Sequence, residues 1–158
     1  SRNCASNGGI GNNGASRPAK LDNPRPKRAR PQMFSTLSLV ALGGAVGAAL
    51  RYLSGVAMMR LTGPQEFPLA ILTVNVIGSF LMGVFVVVAA HRGLTHLSPL
   101  VMTGLLGGFT TFSAFSLETV TLMERGQIGA AGLYVALSVC LSVAGLMLGL
   151  WMARGVLV

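Results

Sequence analysis

Four long apolar segments restrict the fold of this chain more than any other feature of its sequence. They run from Phe34 to Met59, from Pro68 to Ala90, from Ser98 to Met123 and from Gln127 to Met152. Each exceeds the roughly 20 residues that a helix needs to cross the hydrocarbon core of a bilayer. A spanning helix satisfies its own backbone groups where no water is present. The sequence therefore predicts an all-α membrane protein with four transmembrane helices.

The composition agrees with this class of protein. Hydrophobic residues make up 52% and charged residues 10% of the 158 positions, and the mean hydropathy is +0.66. Average globular domains contain about 25% charged residues. The connections between the segments are short and contain no nucleotide-binding loop, and no Cys/His cluster suggests a metal site. We predict a multi-pass protein of the cell (inner or plasma) membrane that is not an enzyme and has no nucleic-acid partner.

Positive charge is concentrated ahead of the first segment. Seven of the twelve Lys and Arg residues precede residue 31. Residues 1–33 are rich in Gly, Asn, Pro and Ser and are predicted to be a disordered basic tail. Residues 34–158 are predicted to be a four-helix transmembrane domain, for which Met33 is a plausible start.

The remaining charges bear on orientation. Arg60, Arg92, Arg125 and Arg154 are divided about evenly between the two sides of the membrane, so the positive-inside rule gives the domain almost no preferred orientation. A domain of this kind can insert both ways and pair in antiparallel fashion, and four short spans do not easily enclose a pore alone. We expect a dimer. The basic tail favours a cytoplasmic N-terminus, so a homologous partner of opposite orientation stays open as an alternative to a homodimer.

Small residues recur at helical spacing in three of the segments. Such pairs allow helix backbones to approach closely in a membrane. The pairs are Gly43 with Gly47, Gly104 with Gly108, and Gly145 with Gly149.

Two charged side chains, Arg51 and Glu118, and the amide of Asn75 lie within the apolar segments. Polar residues are costly inside a membrane and are functional candidates by default. Arg51 either extends its charge to the interface or lies in a wet vestibule and attracts anions. Asn75 either bonds a neighbouring helix or presents its amide donors to an anion. Glu118 is close enough to the interface to be solvated there.

Hydroxyl groups recur along the fourth segment. Tyr134, Ser138 and Ser142 are spaced at i, i+4 and i+8, which places them on one face of a helix. Serines in helices often bond their own backbone, so this stripe alone is weak evidence for a pathway.

The third segment carries the strongest signal, the run GGFTTFSAFS. Gly107 and Gly108, followed by Thr110 and Thr111, weaken regular helix near the middle of the bilayer. Backbone freed at that depth must line a cavity, contact protein or bind an ion. Broken spans place carbonyls where ions can be coordinated. We predict a third helix that is broken at mid-membrane.

Aromatic and hydroxyl side chains alternate just beyond this break. Phe112 and Phe115 share one helix face, and Ser113 and Ser116 repeat the spacing beside them. Aromatic ring edges are weakly positive and can face an anion. Packing alone accounts for two phenylalanines, but it does not account for their alternation with hydroxyls.

At these residues the sequence resembles the Fluc (CrcB) fluoride channel family. The resemblance covers residues 37 to about 150 and rests on three motifs in the expected order. They are GGAVGAALRY in the first segment, VNVIGSFLMG in the second and GLLGGFTTFSAFS in the third. Ala114 departs from the family pattern, in which a small hydroxyl residue is common at that place.

The resemblance implies a dual-topology antiparallel homodimer with two fluoride pathways and a structural sodium ion at its centre. Backbone carbonyls of Gly107 and Thr110 from each subunit would hold the sodium. Arg51 matches an arginine near the vestibule, and Glu118 a glutamate toward one end of the path. The implied pathway residues are Asn75, Phe112, Phe115, Ser113, Ser116, Tyr134, Ser138 and Ser142.

The implied activity is passive export of fluoride from the cytoplasm, in which protein donors replace the water around a small, strongly hydrated anion. Two other classes compete with it. A proton-coupled multidrug exporter has four short spans but needs a membrane-embedded glutamate in the first, where this chain has Arg51 and no carboxylate. A purely structural assembly subunit should tolerate substitutions in the polar break.

Overall fold

The computed structural model of the chain describes residues 29–63 and 66–157. Within these ranges the protein is entirely helical, with four spans that are long and apolar enough to cross a membrane. The first span is helix α1 (Ala29–Thr62), the second is α2 (Leu69–Arg92) and the fourth is α5 (Ile128–Leu157). The predicted all-α membrane fold with four spans is confirmed.

The third span, Thr95–Glu124, is assembled from several short pieces. A 3₁₀ turn at Thr95–Leu97 leads into a π-helical segment at Pro99–Leu106 and the short helix α3 at Gly107–Phe109. Helix α4 (Phe112–Glu124) then completes the crossing.

The break between α3 and α4 consists of two extended residues. Thr110 has φ −79° and ψ 155°, and Thr111 has φ −151° and ψ 120°. The predicted break in the third helix is therefore confirmed, and it lies at the midpoint of the span. Gly107 and Gly108, whose weak helix propensity motivated the prediction, are themselves helical. The interruption falls on the two threonines that follow.

Helix α1 begins earlier than the apolar pattern indicated. Residues 29–33, which were assigned to the basic tail, already belong to the helix. Pro31 is compatible with this start because the N–H that proline lacks has no partner in a first helical turn. The prediction of a disordered tail for residues 1–28 lies outside the described residues.

Helix α1 packs on the first half of the third span through glycines. A Cβ atom added to Gly47 would overlap the backbone of Leu105 and Phe109, and one added to Gly43 would overlap the backbone of Leu100 and Leu105. The backbones therefore touch with no side chain between them, as the spacing of these glycines predicts.

Helices α2 and α5 form a second pair of the same kind. A Cβ at Gly149 would overlap the Phe80 carbonyl, and one at Gly83 would overlap the Leu146 carbonyl. Helix α4 packs mainly on α5. The buried cluster of Leu72, Leu122, Ala131 and Tyr134 joins α2, α4 and α5. The scaffold thus consists of two closely packed helix pairs, and the break lies where they meet.

Candidate functional site

An open groove of about 330 Å³ runs beside the break, between α2, α4 and α5. Five of the eight pathway residues predicted from the sequence line it. They are Asn75, Phe112, Phe115, Ser138 and Ser142. The structure thus brings together residues from three separate segments at the mid-membrane break, although nothing in the sequence places them next to one another.

Four aromatic rings form a continuous row that begins in this groove. The Phe112 and Phe115 ring centroids are 5.4 Å apart, with an angle of 42° between the ring planes. Phe115 lies 5.5 Å from Tyr134, and Tyr134 meets Phe67 edge to face at 5.7 Å. Phe112 ends the row with 80% of its surface exposed on the protomer. A ring so exposed at mid-span offers its edge or face to whatever occupies or covers the groove.

Two hydroxyl groups on α5 are buried one helical turn apart. Tyr134 is 0% exposed and Ser138 is 5% exposed. Within residues 29–63 and 66–157, neither hydroxyl oxygen has a partner of good hydrogen-bond geometry, although the two hydroxyls, one helical turn apart, are near enough to interact with each other. A buried polar group left unpaired costs about 1–3 kcal/mol. Ser138 lines the groove, so its hydroxyl is a candidate donor to a ligand there, whereas Tyr134 packs on Phe115 and does not line the groove.

Asn75 holds the break itself. The Thr111 N–H donates to Asn75 Oδ1 at 2.9 Å, and Asn75 Nδ2 donates to the Thr111 carbonyl at 3.2 Å. One side-chain amide thus satisfies both polar groups of one extended residue. A primary amide has a second N–H, and Asn75 also lines the groove.

Thr111 then starts the second half of the span. Its Oγ1 accepts a hydrogen bond from the Ala114 N–H at 3.2 Å, which is an N-cap for α4. On the other side of the break, Thr110 Oγ1 donates to the Leu106 carbonyl at 2.9 Å. Side chains therefore bond the N–H groups of Thr111 and Ala114 at the interruption.

The carbonyls of Gly107 and Thr110 lose their regular helical donors at this break. In a continuous α-helix they would accept from the N–H groups of Thr111 and Ala114, four residues ahead. Those two groups are directed instead to Asn75 Oδ1 and to Thr111 Oγ1. Carbonyls freed in this way in a membrane span are suited to coordinating a cation. The carbonyl oxygens of Gly107 and Thr110 are thus suitable ligands for the sodium ion that the family resemblance implies.

Ser113 and Ser116 do not line the groove. Ser113 Oγ lies 3.1 Å from Thr111 Oγ1, so it belongs to the cap of α4. Ser116 Oγ donates to the Phe112 carbonyl at 3.0 Å, which is the local backbone bond common for helical serines. In this protomer the two hydroxyls stabilise the break and α4 instead of facing the other predicted pathway residues.

Glu118 lies away from the groove, in a second cavity of about 280 Å³ near the ends of the spans. Glu66, Phe67 and Arg125 share that cavity. Phe67 also ends the aromatic row, so the row connects the two cavities. Arg51, on α1, is half-buried and lines neither of these two cavities.

Two residues of the site were not singled out from the sequence. Ser79 lines the groove, and its position four residues after Asn75 on the same helix was the signal that could have found it. Thr111 was considered only as part of the break, yet it is the partner of Asn75 and the cap of α4. Its pairing with Asn75 crosses 36 residues of sequence.

Comparison with known proteins gives a consistent family assignment. A family profile described as CrcB-like protein, Camphor Resistance (CrcB), matches residues 38–150. A relative from Roseobacter denitrificans is 74% identical over 124 residues, which are 78% of this chain and 98% of the relative. One from Ruegeria sp. is 65% identical over 125 residues, covering 79% and 99%. One from Jannaschia sp. is 87% identical over 90 residues, covering 57% and 86%.

Each of these relatives bears the name fluoride-specific ion channel FluC. The profile spans all four membrane crossings and includes the break, the groove and the glycines that pack the helices. The chain therefore belongs to the Fluc/CrcB family, a family of membrane ion channels and not of enzymes.

Proposed function

We propose that this protein is a fluoride-selective channel that lets fluoride leave the cytoplasm passively and so lowers its toxicity. The observation that carries the proposal is the groove at the mid-membrane break, which is lined by Phe112, Phe115 and the buried Ser138. The names of the relatives agree with this substrate.

The chemistry of the groove suits a small, strongly hydrated anion. Such an ion enters a membrane pathway only if donors of the protein replace its water. Ser79, Ser138 and Ser142 supply hydroxyls along the groove, and the second N–H of Asn75 supplies an amide donor. Apart from Thr110 and Thr111, the rest of the wall is apolar, and a less polar surrounding strengthens each of these interactions. A larger anion such as chloride would also lose its water on entry, but the donors would not be spaced to replace that water around an ion of its size.

We propose further that two copies of the chain pair in antiparallel orientation and form two pathways. The groove is open on one side, and Phe112 is 80% exposed at mid-span. A second copy against this face would close the groove and cover the ring. A homologous subunit of opposite orientation would serve equally, and tagging the C-terminus with reporters of each compartment separates the two arrangements.

The same proposal places a structural sodium ion between the subunits. The carbonyls of Gly107 and Thr110, which have lost their helical N–H donors, would hold it. A sodium ion there would supply a fixed positive charge at the centre of the dimer. Within the described residues no group of three or more His, Cys, Asp or Glu side chains offers another cation site.

Fluoride efflux from liposomes tests the function. Vesicles loaded with potassium fluoride and reconstituted with the full chain are expected to release fluoride rapidly when an ionophore carries potassium, and vesicles loaded with potassium chloride to release almost no chloride. No proton gradient is needed, because the pathway is passive. This separates the channel from a proton-coupled exporter. Fluoride release no faster than from protein-free vesicles would refute the channel.

A further inference from the structure

We propose that Asn75 is a positioning residue for the cation site: by holding the Thr111 peptide, it leaves the carbonyls of Gly107 and Thr110 free to coordinate sodium. This inference rests on the proposed function, which places sodium at those carbonyls. It adds that a side chain of the anion pathway controls the affinity of the cation site.

The break is not enforced by the local sequence. No proline lies between Pro99 and the end of α4, and the glycines Gly107 and Gly108 are helical. Thr110 and Thr111 have negative φ values, and any L-residue can move from such a conformation into the α region. A continuous third helix is therefore sterically open to this sequence. The local N-cap by Thr111 favours the interruption by only about 0.5–2 kcal/mol, so a contact from outside the span is needed to select it.

Asn75 supplies that selection from the neighbouring helix α2. It accepts from the Thr111 N–H at 2.9 Å and donates to the Thr111 carbonyl at 3.2 Å. Without these bonds, the nearest regular acceptor for the Thr111 N–H is the Gly107 carbonyl, four residues back. That bond would occupy one of the two carbonyls proposed to hold sodium. Loss of Asn75 thus favours the state in which the cation site is closed.

The same amide also lines the groove. Asn75 therefore differs from a residue that only lines the pathway, such as Ser79, which lies one helical turn away on the same face. Within the described residues Ser79 makes no hydrogen bond to the break. Substitution of Ser79 should change anion flux alone, whereas substitution of Asn75 should change both anion flux and the response to sodium.

The experiment measures the thermal unfolding midpoint of the purified full chain in detergent as sodium chloride replaces choline chloride. Wild type is expected to gain stability with a defined half-saturating sodium concentration. Asn75→Leu, which keeps the branching and number of side-chain heavy atoms but loses both bonds, is expected to raise that concentration at least tenfold. Asn75→Ser, whose hydroxyl is too short to span both groups of Thr111, should do the same and serves if the leucine variant does not fold.

Ser79→Ala is the matched control and is expected to keep the wild-type sodium response. A wild-type half-saturating concentration in a folded Asn75 variant would overturn the proposal, as would an equal shift in Ser79→Ala or no sodium response in wild type. Fluoride efflux, measured on the same preparations, reports separately on the proposed function. A sodium response that depends on Asn75 in a protein without fluoride flux would support the positioning role and refute the channel.

Discussion

Phe112→Ile and Phe115→Ile are each expected to reduce fluoride flux at least about tenfold, which corresponds to roughly 1.4 kcal/mol in the permeation barrier. Isoleucine keeps the apolar bulk but has no ring edge for an anion, and aromatic geometry of this kind is worth about 0.5–1.5 kcal/mol for each pair. Phe115 contacts both Phe112 and Tyr134, so its loss disturbs the row on both sides. The measurement is the initial rate of efflux from liposomes, normalised to reconstituted protein.

Phe85→Ile provides the control for this experiment. Phe85 lies on α2 and is half-buried, but it lines neither the groove nor the second cavity. Its substitution should leave flux near the wild-type rate. If both groove variants conduct like wild type while remaining folded, the rings have no role in permeation.

Gly47→Ala is expected to destabilise the protein by about 1–3 kcal/mol or more, the usual range for an inserted methyl group in a well-packed core. The added Cβ would overlap the Leu105 carbonyl and lie 2.8 Å from the Phe109 nitrogen. Both obstacles are backbone atoms, which cannot rotate away as a side chain does. The unfolding midpoint in detergent, by heat or denaturant, measures the effect.

Gly55→Ala is the matched control on the same helix. A Cβ at Gly55 meets no atom within 4 Å, and alanine is a better helix former than glycine by about 1 kcal/mol. This variant should be as stable as wild type or more so. Equal losses of stability in the two variants would show that close backbone packing at Gly47 is not what holds α1 against the third span.

The spans themselves were predictable because hydrophobicity is a local property of the chain. The inner boundaries agree within one to three residues: Leu69 for a predicted Pro68 and Ile128 for Gln127 differ by one, and Thr95 for Ser98 differs by three. The outer ends of α1 and α5 continue past their predicted limits to Ala29 and Leu157. A helix keeps its backbone hydrogen bonds after it leaves the apolar layer of the membrane. The hydropathy pattern therefore does not mark the residue at which the helix ends.

The internal arrangement of the site was less accessible from sequence. Glycine and threonine content predicted a break, yet the glycines are needed for packing: Gly108 lies against the backbone of Gly44. The residue that secures the break, Asn75, is 36 positions from its partner Thr111. Such a pairing depends on how α2 is placed beside the third span. The pattern of a single segment does not contain that information.

The two extended residues between α3 and α4 also fix the rotational register of everything that follows them. Each helical residue turns the chain by about 100°, so one residue added after Thr111 would turn α4 about its axis by more than a quarter of a circle. Phe112 and Phe115 would then face away from α5, although every side chain of the site was still present. The length of the interruption, as well as its composition, therefore determines whether the aromatic rings of α4 face α5.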